Sequence, residues 1–152
     1  MAGNGTNQTE DRLILRSRLT DLARVPSWVE SLGARYSISE NVQFAINLCL
    51  EEALSNVIRH GYAGAEDCSL SVSFTPRGDG AFEFVVEDEA PGFNPLEAVE
   101  RPVIGAEDTG LVGGQGIRLL QRFTDGVEYQ RMPNGNRLRM WFSDAGITLK
   151  AK

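Results

Sequence analysis

Residues 39–62, SENVQFAINLCLEEALSNVIRHGY, hold Val42, Ala45, Ile46, Leu48, Cys49, Leu50, Ala53, Leu54, Val57 and Ile58. A helix with so broad an apolar surface must be covered on most sides by the rest of the chain. Ser39 opens it as a cap, Glu40 stands in its first turn and Gly61 ends it. Two polar stripes interrupt the apolar surface. Glu51, Ser55 and Arg59 recur at i, i+4, and so do Glu52, Asn56 and His60, which lie about 100° further round the axis. One stripe can face water. The second either meets a cavity or is a neighbouring solvated row.

The remaining segments must supply the cover. Arg12–Leu19 has strand character, and Asp21 can cap a helix that carries Leu22, Val25, Trp28, Val29 and Leu32 and stops at Gly33. Pro26 sits early enough in it to be tolerated. Leu70, Val72 and Phe74 alternate with Ser69, Ser71 and Ser73, and Phe82, Phe84 and Val86 continue the alternation beyond a turn at Pro76–Gly80. Glu89–Gly114 reads as a long loop, Gln115–Phe123 as a short helix, and Gly126–Arg131 and Asn136–Phe142 as strands around Pro133–Asn134–Gly135. The order strand, helix, helix, hairpin, loop, helix, hairpin predicts an α+β two-layer sandwich, with the helices on one face of a mixed, mainly antiparallel sheet. The helices do not alternate one-for-one with strands, which disfavours a dinucleotide-binding doubly wound sheet. A chain of 152 residues suits one core. We expect a single domain over residues 12–143, with a disordered tail at 1–11 and a C-terminal tail at 144–152.

Fifteen Lys and Arg against 21 Asp and Glu give a formal charge of −6. That argues against broad binding to nucleic acid or anionic lipid, but not against a nucleotide accompanied by a divalent cation, which brings its own positive charge. No apolar run reaches membrane-spanning length, and MAGNGTNQTED has no secretory character, so a cytoplasmic protein is expected. Cys49 and Cys68 form neither a disulfide framework nor a metal cluster by spacing.

Three features carry chemistry. Glu52 and Asn56, one turn apart, offer a carboxylate and a neutral oxygen, suited to a hard cation or to activating a hydroxyl. Asp88 shares the parity of Phe82, Phe84 and Val86 and so points to the buried side at the strand's end. A buried carboxylate needs donors. They come from a ligand N–H, such as an exocyclic amine, or from backbone amides of the turn that follows. Gly105, Gly110, Gly113, Gly114 and Gly116 precede a helix, an arrangement that can gather backbone N–H groups around a phosphate or simply loosen a loop. The single His60 makes a zinc site improbable on composition, and no GxSxG nucleophile elbow is present.

In order, these features resemble the GHKL ATPase superfamily, with its histidine-kinase-like (Bergerat) ATP-binding fold. EEALSNVIRHGY looks like the N box, VEDEAPGFNP like the first glycine box, and GGQGIRLLQRFTDGVEY like the second. Within it the chain is most similar to the bacterial anti-sigma-factor serine/threonine kinases, through the EAxxNxxxHGY form of the N box and the ending NGNRLRM. The resemblance implies that Asn56 binds Mg²⁺ bridging the phosphates of ATP and that Glu52 is the catalytic group that orients or deprotonates the attacking hydroxyl. It implies that Asp88 accepts from the adenine amino group, that Gly92 lets the backbone approach the base, and that Gly113, Gly114 and Gly116 wrap the phosphates beneath a lid at Glu100–Val112.

Two departures stand out. Ala90 occupies the first glycine of the usual Asp-x-Gly-x-Gly, and no Lys or Arg lies between Pro102 and Ile117. The implied activity is ATP-dependent phosphorylation of a serine or threonine on a STAS-type anti-anti-sigma partner, with a sigma factor held by another surface, in a homodimer without direct contact to nucleic acid or membrane. The alternative is a nucleotide-gated protein-binding module that switches a partner without chemistry.

Overall fold

The computed structural model describes residues 11–92 and 113–144. The expected lid, Glu100–Val112, lies outside them. Strand β1 (Asp11–Arg16) leads through a 3₁₀ turn at Leu19–Ala23 into α1 (Arg24–Tyr36), and α2 (Glu40–Asn56) ends in a π-helical turn at Val57–Gly61. The hairpin β2 (Ser69–Pro76) and β3 (Phe82–Asp88) follows, then α3 (Gly113–Phe123) and the hairpin β4 (Gly126–Met132) and β5 (Gly135–Phe142). The sheet has the order β1-β2-β3-β5-β4 and is antiparallel at every described pairing. The expected two-layer α+β arrangement is therefore what forms. No helix among the described residues is long and apolar enough to cross a membrane.

The register aligns the apolar residues in rows across the sheet. Leu13, Val72, Val86 and Leu138 make one row, and Phe74, Phe84 and Met140 the next. All are buried, together with Val29 and Leu32 of α1, Ile46, Leu50 and Leu54 of α2, and Leu120 of α3. Phe84 meets Phe142 and Trp28 edge-on, with ring centroids 5.8 and 6.0 Å apart. The opposite sheet face is a lattice of charges. Arg137 and Arg139 each hold a glutamate of β3, Glu87 and Glu83 respectively, at 2.8 Å. Such surface pairs add little stability, but they keep that face wet.

Several boundaries differ from expectation for physical reasons. β1 ends at Arg16 rather than Leu19. Asp21 caps no helix: it lies in the 3₁₀ turn and accepts the Arg16 backbone N–H at 2.9 Å. Gly33 does not stop α1. It is buried inside the helix, where a side chain would overlap the Gln43 amide, and the left-handed terminal position is taken by Ser37 at φ 58°. Ser39 does cap α2, accepting from the Val42 N–H at 3.2 Å.

Gly135 likewise serves packing rather than the turn. It pairs with Met132, which leaves Pro133 and Asn134 as the loop, and a Cβ on it would overlap the carbonyl oxygen of Asp88. Gly135→Ala should therefore cost about 2–3 kcal/mol or more in urea denaturation. Gly78→Ala, at a position with open space around it, should stay within about 0.5 kcal/mol of wild type. Equal small effects would contradict this close approach of β5 to β3.

Candidate functional site

Because β3 is the central strand, its end lies under the C-terminal half of α2. Asn56 of α2 and Asp88 of β3 line a shared hollow with Ala53, Val57, Val86, Tyr129, Asn136 and Leu138. The hollow is about 20 Å³, room for little more than one water, so a purine must part these walls to seat. Asn56 is 4 % and Asp88 8 % exposed.

Asp88 is held from two sides. Its Oδ1 accepts the Ala90 backbone N–H and the Asn136 side-chain amide, each at 2.8 Å. Backbone donation from the following turn is thus present, and one oxygen is taken. Among the described residues no hydrogen bond to Oδ2 is formed, which leaves that oxygen for a ligand donor. Asn136 stands directly opposite Asp88 in the ladder. Its amide also donates to the Ala90 and Pro91 carbonyls at 3.2 Å, and the Tyr129 hydroxyl donates to its Oδ1. Arg131 closes the rim, donating to the Gly135 carbonyl at 2.8 Å and lying beside Gly92. Burial pushes the Asp88 carboxyl up, and the Asn136 amide, the Ala90 N–H and the Arg131 charge offset part of that rise.

Glu52 opens onto a different and larger cavity, of about 640 Å³, between the 3₁₀ turn, the start of α1, α2 and Leu119 of α3. Glu51, Ser55 and Arg59 share its wall, and Glu51 and Arg59 at its rim are also exposed to water. Burial raises the Glu52 carboxyl, opposed first by the Asn56 amide and then by the Arg59 charge. Asn47 lies on the same wall, and its Oδ1 is buried with no hydrogen-bond partner among the described residues. Glu52 and Asn56 therefore line two different hollows from adjacent turns of one helix.

Gly113, Gly114 and Gly116 fall inside the first turn of α3 rather than in a loop before it. The helix packs along α2, and a helix N-terminus favours anions through its unpaired N–H groups. Ala90 does not adopt a positive φ. It is buried, and its methyl faces Gly61, where a Cβ would come within 3.2 Å. The sequence assigns no individual role to Asn136, Tyr129, Arg131 or Tyr62, although all but Arg131 lie in the motifs quoted above. For Asn136 the signal existed: it shares the parity of Leu138, Met140 and Phe142, just as Asp88 shares that of Val86.

The donor set fits a nucleotide with its metal. No group of three or more His, Cys, Asp or Glu side chains able to hold an ion occurs among the described residues. A magnesium ion commonly takes only one or two protein oxygens and completes its shell with phosphate and water. Asn56 can supply such an oxygen and Glu52 lies one turn away.

The raised Asp88 carboxyl has a consequence for stability. The folded state holds that proton more tightly than the unfolded chain, so ionised Asp88 costs stability above its folded pKa and nothing below its unfolded one. Asp88→Asn retains an oxygen for the same two donors. Its melting temperature without nucleotide should equal or exceed wild type at pH 7, the gap closing as pH falls towards about 4. Differential scanning fluorimetry across pH checks this, and a large loss of stability at pH 7 would contradict it.

The chain is similar to several known proteins. Serine/threonine-protein kinase BtrW of Bordetella bronchiseptica is 25% identical over 130 residues, 86% of this chain and 91% of that protein. An anti-sigma F factor of Heyndrickxia coagulans is 27% identical over 135 residues, 88% of this chain and 90% of that one. The crystal structure of the RsbU and RsbW domains of a Mycobacterium tuberculosis protein matches with a TM-score of 0.60 at 14% identity, over 88% of this chain and 32% of that chain. The histidine kinase domain of a blue-light-activated kinase from Erythrobacter litoralis EL346 gives 0.55 at 14% identity, over 87% and 63%. Identities this low show a shared fold. The family model described as histidine kinase-like ATPase domain matches residues 15–142, and the chain belongs to that family.

Proposed function

We propose that the chain is an ATP-dependent serine/threonine protein kinase that acts as an anti-sigma factor or a related switch, with a STAS-type anti-anti-sigma protein as its phosphorylation target. The observation that carries this is the placement of Glu52, half-buried on the wall of a cavity of about 640 Å³ and one helical turn from Asn56. A carboxylate raised by burial, beside a metal-competent amide and facing open space, suits a general base for an incoming hydroxyl. The names of the relatives, a serine/threonine kinase and anti-sigma F factors, favour the same reading.

In this reading the adenine amino group donates to the free oxygen of Asp88, and Gly92 leaves room for the base. Asn56 would hold Mg²⁺, which would supply charge neutralisation on the phosphates. Gly113, Gly114 and Gly116 present the α3 N-terminus to them. Glu52 orients the acceptor hydroxyl and takes its proton as the hydroxyl oxygen bonds to the γ-phosphorus and ADP leaves. Positioning and charge neutralisation supply most of the catalysis of phosphoryl transfer. A homodimer in the cytoplasm completes the proposal.

A second reading, a nucleotide-gated binding module without chemistry, is favoured by the absence of Lys and Arg from Pro102 to Ile117. One experiment separates the two. With Mg·ATP and a STAS-domain protein encoded beside this chain's gene, the wild type should yield phosphoserine or phosphothreonine. Glu52→Gln should lower transfer by about 10²–10⁴-fold while ATP affinity holds. Nucleotide binding by the wild type with no phosphorylated product would remove the kinase and leave the module.

A further inference from the structure

The π-helical turn at Val57–Gly61 follows directly on Asn56. Its wide bond runs from the Tyr62 N–H to the Val57 carbonyl at 2.7 Å, and Tyr62 reaches the end of the β2–β3 ladder. There the Tyr62 hydroxyl donates to the Ser69 carbonyl at 2.6 Å and accepts the Glu89 backbone N–H at 2.8 Å.

The register gives these two bonds their meaning. The last pair of the β2–β3 ladder is Leu70 with Asp88, so Ser69 and Glu89 stand one step beyond it. In a continuing antiparallel ladder the Glu89 N–H and the Ser69 carbonyl are the groups that bond each other. The Tyr62 hydroxyl is spliced between them and satisfies both. It ends the pairing at Asp88 without leaving a bare donor, and it releases the chain into the turn whose Ala90 N–H grips Asp88 Oδ1. The residue before it makes a second contact with the same turn, since Gly61 lacks the Cβ that would crowd the Ala90 methyl. Within six residues, then, one helix end carries the Asn56 amide and a wedge that shapes the backbone around Asp88.

We infer that Tyr62 is a positioning residue for nucleotide-base selection: its hydroxyl, wedged between Ser69 and Glu89, sets the Asp88–Gly92 turn so that the free carboxylate oxygen meets an exocyclic amine. This rests on the reading of Asp88 as the base acceptor. Tyr62 itself touches no reacting atom. Removing the hydroxyl leaves the Glu89 N–H either unpaired or bonded to Ser69, and either change moves the backbone next to Asp88.

The test compares ATP with inosine triphosphate, which carries a carbonyl in place of the amino group, by titration calorimetry with Mg²⁺. Wild type should prefer ATP by about tenfold or more, because a site built around a donor rejects the analogue that lacks it. Tyr62→Phe keeps the ring. It should cut that preference about tenfold while inosine triphosphate affinity stays within about threefold. A purely structural role would weaken both nucleotides alike, and that result, or an unchanged preference, overturns the inference. A wild type indifferent to the two nucleotides overturns the reading of Asp88 itself and the inference with it. If Tyr62→Phe does not fold, the wild type decides by NMR. The Glu89 amide resonance should shift on adding ATP and hold on adding inosine triphosphate; equal movement with both, or none with either, overturns the proposal.

Discussion

Asp88 sits 8 % exposed at the end of the central strand, and a carboxylate cannot remain there unless donors replace the water it has lost. Much of the local structure follows from that requirement. Asn136 stands across the ladder because β5 returns beside β3, and Gly135 lets it come close enough. The Ala90 N–H turns back because the pairing stops at Asp88, where the Tyr62 hydroxyl intervenes. These donors compensate only in part, so the carboxyl stays above its ordinary range. Among the described residues one of its oxygens is bound within the protein, and a ligand donor on the other would offset more of the cost of burying the group.

The same division of labour runs along α2. Its apolar surface anchors it over the sheet, while helix geometry sets Glu52 and Asn56 one turn apart. Asn56 shares a hollow with Asp88, while Glu52 looks into the larger cavity beside the 3₁₀ turn. A nucleotide and an acceptor approaching from different sides would thus meet at adjacent turns of one helix. That arrangement asks little of any mobile part beyond closing off water.

How much of this was legible in the sequence depended on whether a residue's role was local. Period-2 alternation fixed both hairpins and, through parity, the inward direction of Asp88. The apolar breadth of residues 39–62 announced a buried helix, and Ser39 marked its start. Glycine was the harder residue to read. Gly33 looked like a helix stop and Gly135 like part of a turn, yet both are small because another chain segment lies against them. Asp21 has the neighbours of a helix cap, but its partner is the Arg16 amide at the end of β1. Tyr62 closes the HGY end of the N-box motif, but its role is not local: its two partners are seven and 27 residues away, and only the register of the sheet shows what the hydroxyl replaces.

Everything proposed for the site turns on whether one chain gathers a metal-bearing nucleotide between Asn56 and Asp88. Titration calorimetry of the wild type with ATP, with Mg²⁺ present and then chelated, asks this without a partner protein or a mutation. The account predicts one nucleotide per chain and an affinity that falls about tenfold or more when the metal is removed. Binding indifferent to Mg²⁺, or no heat at millimolar ATP, would contradict it.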